Sequence, residues 1–180
     1  MEERTKGGIP KAVFIENVER WVKQFSGEEE ASKTLQDLYS KYTEHEEELK
    51  KQRNALTLRI PILEDDLKAL LYMKRTKESG KELKTMFELN DGVYAEGIAT
   101  HLDSAVIMLG AGTLVDFDID EGIVMMKKHI AKAQGSIDKL DETLEFLKAQ
   151  RTTTEVNISR LFNYGTHKRR EEKAAEEAGI

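Results

Sequence analysis

The chain contains no cysteine, two prolines and one tryptophan in 180 residues. Without cysteine there is no disulfide, no thiolate nucleophile and no sulfur-ligated metal. With so few prolines, long uninterrupted helices are allowed. No run of about 18 apolar residues occurs, the length a helix needs to cross a bilayer. The start of the chain, MEERTKGGIPKAVF, lacks the apolar segment of a signal peptide, so the expected location is cytoplasmic. Basic residues are also in deficit: 28 Lys and Arg stand against 34 Asp and Glu, giving a net charge of −6. That balance argues against a nucleic-acid partner, and the lack of a long apolar run against a membrane one. Apolar residues make up only 39%, charged residues 34%, and mean hydropathy is −0.57. Such a composition suits a rod-like or oligomeric protein better than a well-filled sphere.

What is present falls into four parts. Residues 1–31 form a leader with one amphipathic stretch, in which Val13, Phe14, Val18, Trp21, Val22 and Phe25 fall at helical spacing. Ser26 and Glu29 fit a capping box that opens the next helix there or a few residues later. Residues 32–80 read as one long helix whose seam is Leu35, Leu38, Tyr42, His45, Leu49, Gln52, Leu56, Ile60, Leu63, Leu67 and Leu70. The steps alternate three and four except from Leu56 to Ile60, a register shift next to Pro61. Lys74, Arg75 and Lys77 load the last turn and Gly80 suits a left-handed cap.

Residues 84–119 change character. Turn residues Asn90-Asp91-Gly92 and Gly110-Ala111-Gly112 separate short β-branched and aromatic runs, which read as two consecutive hairpins. Residues 119–164 return to helix behind an Asp118/Glu121 capping signature. Its seam is unbroken: Ile123, Met126, Ile130, Ala133, Ile137, Leu140, Leu144, Leu147, Arg151, Thr154, Ile158 and Leu161. Gly165 supplies the expected stop, and residues 165–180 read as a flexible charged tail.

At 1.5 Å per residue each long helix would run roughly 70 Å. Equal lengths joined by a compact insert suggest an antiparallel pair. The fold class is therefore mainly α: a long antiparallel two-helix coiled coil, with two β-hairpins between the helices. Four short strands cannot bury both faces alone, so they are expected to pair with other subunits into a β-barrel base. Phe87, Leu89, Val93, Tyr94, Ile98, Val106, Ile107, Leu109, Val115, Phe117 and Ile119 are the candidate assembly residues. At the opposite tip, Leu35, Leu38, Tyr39, Tyr42, Ile158, Leu161, Phe162 and Tyr164 concentrate more aromatic surface than a two-helix seam requires. They are candidates for contact with an external polypeptide. The pattern does not decide whether Trp21, Val22 and Phe25 fold back on that tip or pack on a neighbour.

No residue set suggests catalysis, a cofactor or a metal. His45, His101, His129 and His167 have no ligand spacing, and His45 reads as a polar seam position that sets register. Gly110-Ala111-Gly112 lacks the Lys-Ser/Thr of a phosphate loop. Asp116, Asp118, Asp120 and Glu121 lack calcium-loop spacing. Asn157-Ile158-Ser159 matches a glycosylation sequon, read as a chance match without a secretory signal.

The segments GGIPKAVF, NDGVYAEG, VDFDIDE and TTTEVNISRLFNY, in this order across residues 8–164, resemble the eukaryotic-type α-class prefoldins. The IPKAVF and TTTEVN runs point to one particular subunit within that class. This resemblance implies a subunit of a heterohexamer of two α-class and four β-class chains, built on a double β-barrel. It implies that unfolded actin and tubulin are held between coiled-coil tips and passed to the group II chaperonin without ATP. The tip residues above come from the seam reading, since the family offers no fixed client motif. A structural coiled-coil tether or scaffold adaptor is the alternative, although it gives no reason for four central strands. An enzyme is the weakest reading.

Overall fold

A computed structural model describes residues 9–179. In chain order it contains α1 (Val18–Val22), α2 (Glu28–Glu78), β1 (Leu83–Asn90), β2 (Val93–Ala99), β3 (Ser104–Gly110), β4 (Thr113–Asp118) and α3 (Ile119–Glu177). The strands form two separate antiparallel pairs, β1–β2 and β3–β4, and the described residues contain no closed barrel. The contacts divide the chain into two compact units. One comprises residues 1–53 and 139–180, the other residues 54–138. Both long helices contribute to both units.

The helix ends follow local chemistry. Glu28, Glu29 and Glu30 place negative charge on the first turn of α2, against the positive end of its dipole. The reciprocal cap lies one residue beyond the expected one: the carboxylate of Glu30, not Glu29, accepts from the Ser26 amide at 2.8 Å. At the other end Gly80 adopts φ +64°, its amide donates to Lys77 and the Lys81 amide donates to Thr76. That pair of bonds is a Schellman stop. Asp118 caps α3 by accepting from the Asp120 amide at 2.9 Å.

In the unit of residues 54–138, Leu63 and Leu70 of α2 pack with Ile123 and Met126 of α3, so the helices run antiparallel. Ile107 and Ile119 complete this core, with Ala105 and Phe117 against it. One face of the β3–β4 hairpin thus covers the helix pair. Gly122 is buried where a side chain would meet Ile107 at 3.1 Å, which lets strand and helix approach closely.

The two turns differ. Gly92 takes φ +74° beside a register shift between Glu88 and Asn90. In the second hairpin both central residues have positive φ, Ala111 at 49° and Gly112 at 74°, the requirement of a type I′ turn. Alanine bears a left-handed strain there that glycine does not. Ala111→Gly is expected to stabilise the chain by about 0.5–1 kcal/mol, the strain relief being partly offset by greater freedom when unfolded. Thermal unfolding followed by circular dichroism would show a higher midpoint, and a lower one would contradict the strain assignment.

In the unit of residues 1–53 and 139–180, Leu35 packs with Leu161, and Tyr42 with Leu147, again an antiparallel pair. The seam of α3 is buried or half-buried at each expected position. The seam of α2 departs from the expectation by one residue at two places. His45 and Gln52 are exposed, while Glu46 is buried and Arg53 half-buried. Arg151 donates to Glu46 at 2.8 Å, and Arg53 pairs with Asp141. Charged residues take these positions because each finds an opposite charge on the facing helix. The shift in step therefore falls between Tyr42 and Glu46, not at Leu56–Ile60. Pro61 lies inside α2 on an exposed face, away from the shift.

The far end of α3 is a second correction. The helix does not stop at Gly165 but continues to Glu177, across most of the segment expected to be a flexible tail. Glycine inside a helix costs only about 1 kcal/mol relative to alanine. Here it is buried and leaves space for the Glu28 carboxylate, which a Cβ would overlap at 1.7 Å. Arg169 approaches the same carboxylate at 3.5 Å.

Candidate functional site

The leader, expected to carry a helical stretch from Val13 to Phe25, is helical only over Val18–Val22. Asn17 starts that helix by accepting from the Arg20 amide at 2.8 Å. Before it the chain is extended and lies along the helix pair. Ile9 and Ile15 are buried and Ala12 half-buried, whereas Val13 and Phe14 face outward. The residues packed into the apolar clusters, Ile9, Ala12 and Ile15, are therefore three apart, with Pro10 half-buried between them. An extended chain of polyproline type has that period and makes no internal hydrogen bonds, so its polar groups need outside partners.

Those partners are side chains of the coiled coil. Gln150 accepts from the Ala12 amide at 2.9 Å. Asn157 uses both ends of its amide, accepting from the Ile15 amide at 3.0 Å and donating to the Val13 carbonyl at 2.8 Å. Tyr42 donates to the Pro10 carbonyl at 2.7 Å, and Arg160 to the Glu16 carbonyl at 2.9 Å. Arg160 also lies 4.7 Å from the centre of the Phe14 ring. Asn157 is 2% exposed and committed to the leader, so its sequon places no acceptor on the surface.

The apolar half of this site uses the residues expected at the tip. Ile15 joins Ala31, Leu35 and Leu161, with Val18, Trp21, Val22, Phe25 and Ile158 around them. Ile9 joins Tyr42 and Leu147, with Ala12 and Leu38 alongside. Trp21, Val22 and Phe25 thus fold back within the chain, and the rings of Trp21 and Phe25 lie 4.6 Å apart. Of the expected contact residues, Leu35, Tyr42 and Leu161 are buried and Leu38, Tyr39, Ile158 and Tyr164 half-buried; Phe162 is open at 66%. Sequence reading missed Gln150, Asn157 and Arg160. Two polar residues on the buried side of an otherwise heptad helix were the available signal.

The second candidate surface is the pair of hairpins. Phe87, Leu89, Val93, Tyr94, Ile98, Val106 and Leu109 are exposed, Val115 and Phe117 half-buried, and Ile107 and Ile119 buried in the core of their own unit. Alternation assigns the outer face of β3–β4 to Val106, Met108 and Leu114, all more than half exposed. Met108 and Leu114 were not expected there. In β1–β2 the Phe87 ring lies over Gly97, where a Cβ would meet it at 2.2 Å.

Ion pairs at the hairpin junction join Lys74 to Asp120 at 2.5 Å and Lys77 to Asp103 at 2.8 Å. The hydrogen bond from Lys77, and then its charge, hold the Asp103 carboxyl below the usual carboxylate range. Both pairs are solvent-reached, so each is a small term in stability. Among the described residues no group of three or more His, Asp or Glu side chains is placed to hold a metal, and no helix is long and apolar enough to cross a membrane.

The described residues thus give two helices in antiparallel contact, separated by two hairpins with open apolar faces. The prefoldin family profile, described as "Prefoldin subunit", matches residues 42–164, and the chain belongs to the prefoldin family. It is 37% identical over 165 residues to prefoldin subunit 3 of Mus musculus, covering 90% of this chain and 84% of that protein. Prefoldin subunit 3 of Saccharomyces cerevisiae is 33% identical over 184 residues, covering 97% and 92%. Probable prefoldin subunit 3 of Caenorhabditis elegans is 33% identical, covering 91% and 89%. In fold, the chain resembles filamentous PFD from Methanocaldococcus jannaschii, with a TM-score of 0.50 at 16% identity over 63% of this chain and 92% of that one. The chain is a co-chaperone subunit that associates with other prefoldin chains, not an enzyme.

Proposed function

We propose that this chain fills an α-class position in a cytoplasmic heterohexamer of two α-class and four β-class prefoldin chains. In that assembly it holds unfolded actin and tubulin and delivers them to the group II chaperonin without ATP. The observation that carries the reading is the outer face of β3–β4, where Val106, Met108 and Leu114 stand in water although the opposite face is packed. Apolar surface of this kind on an open-edged hairpin favours pairing with another chain. Hairpins from neighbouring subunits would close into the shared barrel, with Phe87, Tyr94 and Ile98 adding to the contact. The groove around Leu35, Tyr42 and Leu161, with Phe162 exposed in the same unit, is the proposed client surface.

Co-expression with the other five prefoldin chains, followed by native mass measurement, is expected to give one hexamer containing this subunit. Val106→Asp combined with Met108→Asp should abolish incorporation while leaving helicity intact. The reconstituted hexamer should suppress aggregation of denatured actin. A stable dimer indifferent to the other chains would instead favour the tether reading. A hexamer that leaves actin aggregation unchanged would remove client holding from the proposal.

A further inference from the structure

We propose that leader residues 9–16 are a built-in stand-in for client. They occupy the groove that takes an extended segment of an unfolded polypeptide with apolar side chains at every third position, and client must displace them. This rests on the client-holding reading above and adds how the groove recognises its ligand.

The recognition chemistry is seen directly in the docked leader. Gln150, Asn157, Tyr42 and Arg160 all bond main-chain groups, of Ala12, of Val13 and Ile15, of Pro10 and of Glu16. Every polypeptide carries those groups, so these bonds impose conformation and not sequence. Ile9, Ala12 and Ile15 pack into the two apolar clusters, with Pro10 also half-buried, and small or aliphatic side chains three apart satisfy that requirement. The Arg160–Phe14 contact adds an outward side-chain reading. A folded protein presents few such segments, because most of its main chain is already paired and its apolar side chains are buried. An unfolded one can.

The leader is also suited to release. Its hydrogen bonds to the helices come from side chains whose places water can take, and it is tethered next to the groove. A tethered occupant competes at an effective concentration of about millimolar. If the groove is closed about nine-tenths of the time, apparent client affinity is lowered about tenfold.

The test uses assembled hexamers carrying either the natural chain or Ile15→Asp, which disfavours docking without altering any groove residue. The probe is a fluorescent peptide of residues 9–17, IPKAVFIEN, and the competitor is denatured actin. Ile15→Asp hexamer is expected to bind the peptide about tenfold more tightly than the natural hexamer and to suppress actin aggregation at lower concentration. Denatured actin should displace the peptide. The same peptide with Asp in place of Ile9 and Ile15 should not bind. Ile9→Asp, at the other end of the docked segment, is the second variant and replaces the first if Ile15→Asp fails to assemble. Equal peptide binding by variant and natural hexamers, or peptide that actin does not displace, would overturn the proposal. If the natural hexamer does not hold actin at all, the client reading fails separately, and peptide binding alone decides whether the leader exchanges.

Discussion

Replacing Arg151 by methionine is expected to destabilise the leader-bearing unit by about 2–3 kcal/mol. Glu46 is 6% exposed, and its carboxylate takes bonds from Arg151 at 2.8 Å and from Lys50 at 2.5 Å. Removing one partner of a buried ion pair leaves an uncompensated charge, which typically costs about 3–5 kcal/mol. The figure here is smaller because Lys50 remains and because the Arg151 side chain is 31% exposed. Methionine also removes the Arg151 Nε, which is buried without a hydrogen-bond partner. Urea unfolding should show a lower midpoint with unchanged slope. The double variant Glu46→Leu with Arg151→Met should lie within about 1 kcal/mol of the natural chain, since two apolar groups can replace a buried pair. A double variant as weak as the single one would show that the cost came from packing and not from the stranded carboxylate.

Asn157→Leu tests the other polar feature of the same unit. The substitution strands the Ile15 amide and the Val13 carbonyl, which bond the Asn157 side chain in the natural chain. One buried amide and one partly buried carbonyl left unmet would cost about 2–3 kcal/mol if the leader stayed in place. The leader has a cheaper course, which is to leave the groove and bond water. The expected result is therefore local: far-UV helicity and the unfolding midpoint of the helices change little while the leader undocks. Hydrogen exchange at the Ala12 and Ile15 amides should accelerate by about tenfold, the limit for a leader docked about nine-tenths of the time and the equivalent of about 1.4 kcal/mol. Trypsin should reach Lys11 and Arg20 earlier than in the natural chain. Unchanged protection at these two amides would show that apolar contacts alone hold the leader.

These two variants mark where sequence reading succeeded and where it ran out. The helices, the two hairpins and the α3 seam follow from local patterns, since heptad spacing and turn glycines are properties of neighbouring residues. The α2 seam was one residue off at His45 and Gln52 because its true occupants, Glu46 and Arg53, are charged. Their burial makes sense only with Arg151 and Asp141, which lie 105 and 88 residues away in sequence. The leader failed for the same reason. Val13 and Phe14 sit at helical spacing, yet Asn157 and Gln150 supply hydrogen bonds that favour an extended chain. Gly165 reads locally as a stop, and the Glu28 carboxylate that occupies its space comes from another helix. Of the residues expected at the tip, Leu35, Leu38, Tyr42, Ile158 and Leu161 pack against the leader, which the seam pattern of the helices does not encode.

The position of the step shift has a geometric consequence. From Leu35 through Leu38 and Tyr42 to Glu46 the buried residues advance by three, four and four, an eleven-residue spacing. Heptads force two helices to wind left-handedly, whereas eleven residues in three turns lies close to the natural pitch and relaxes that winding. The leader packs against this same stretch, with Ile15 near Leu35 and Ile9 near Tyr42. Where α2 is released from winding around its partner, the pair becomes locally a bundle of three segments, the third an extended stretch without a helix's demands.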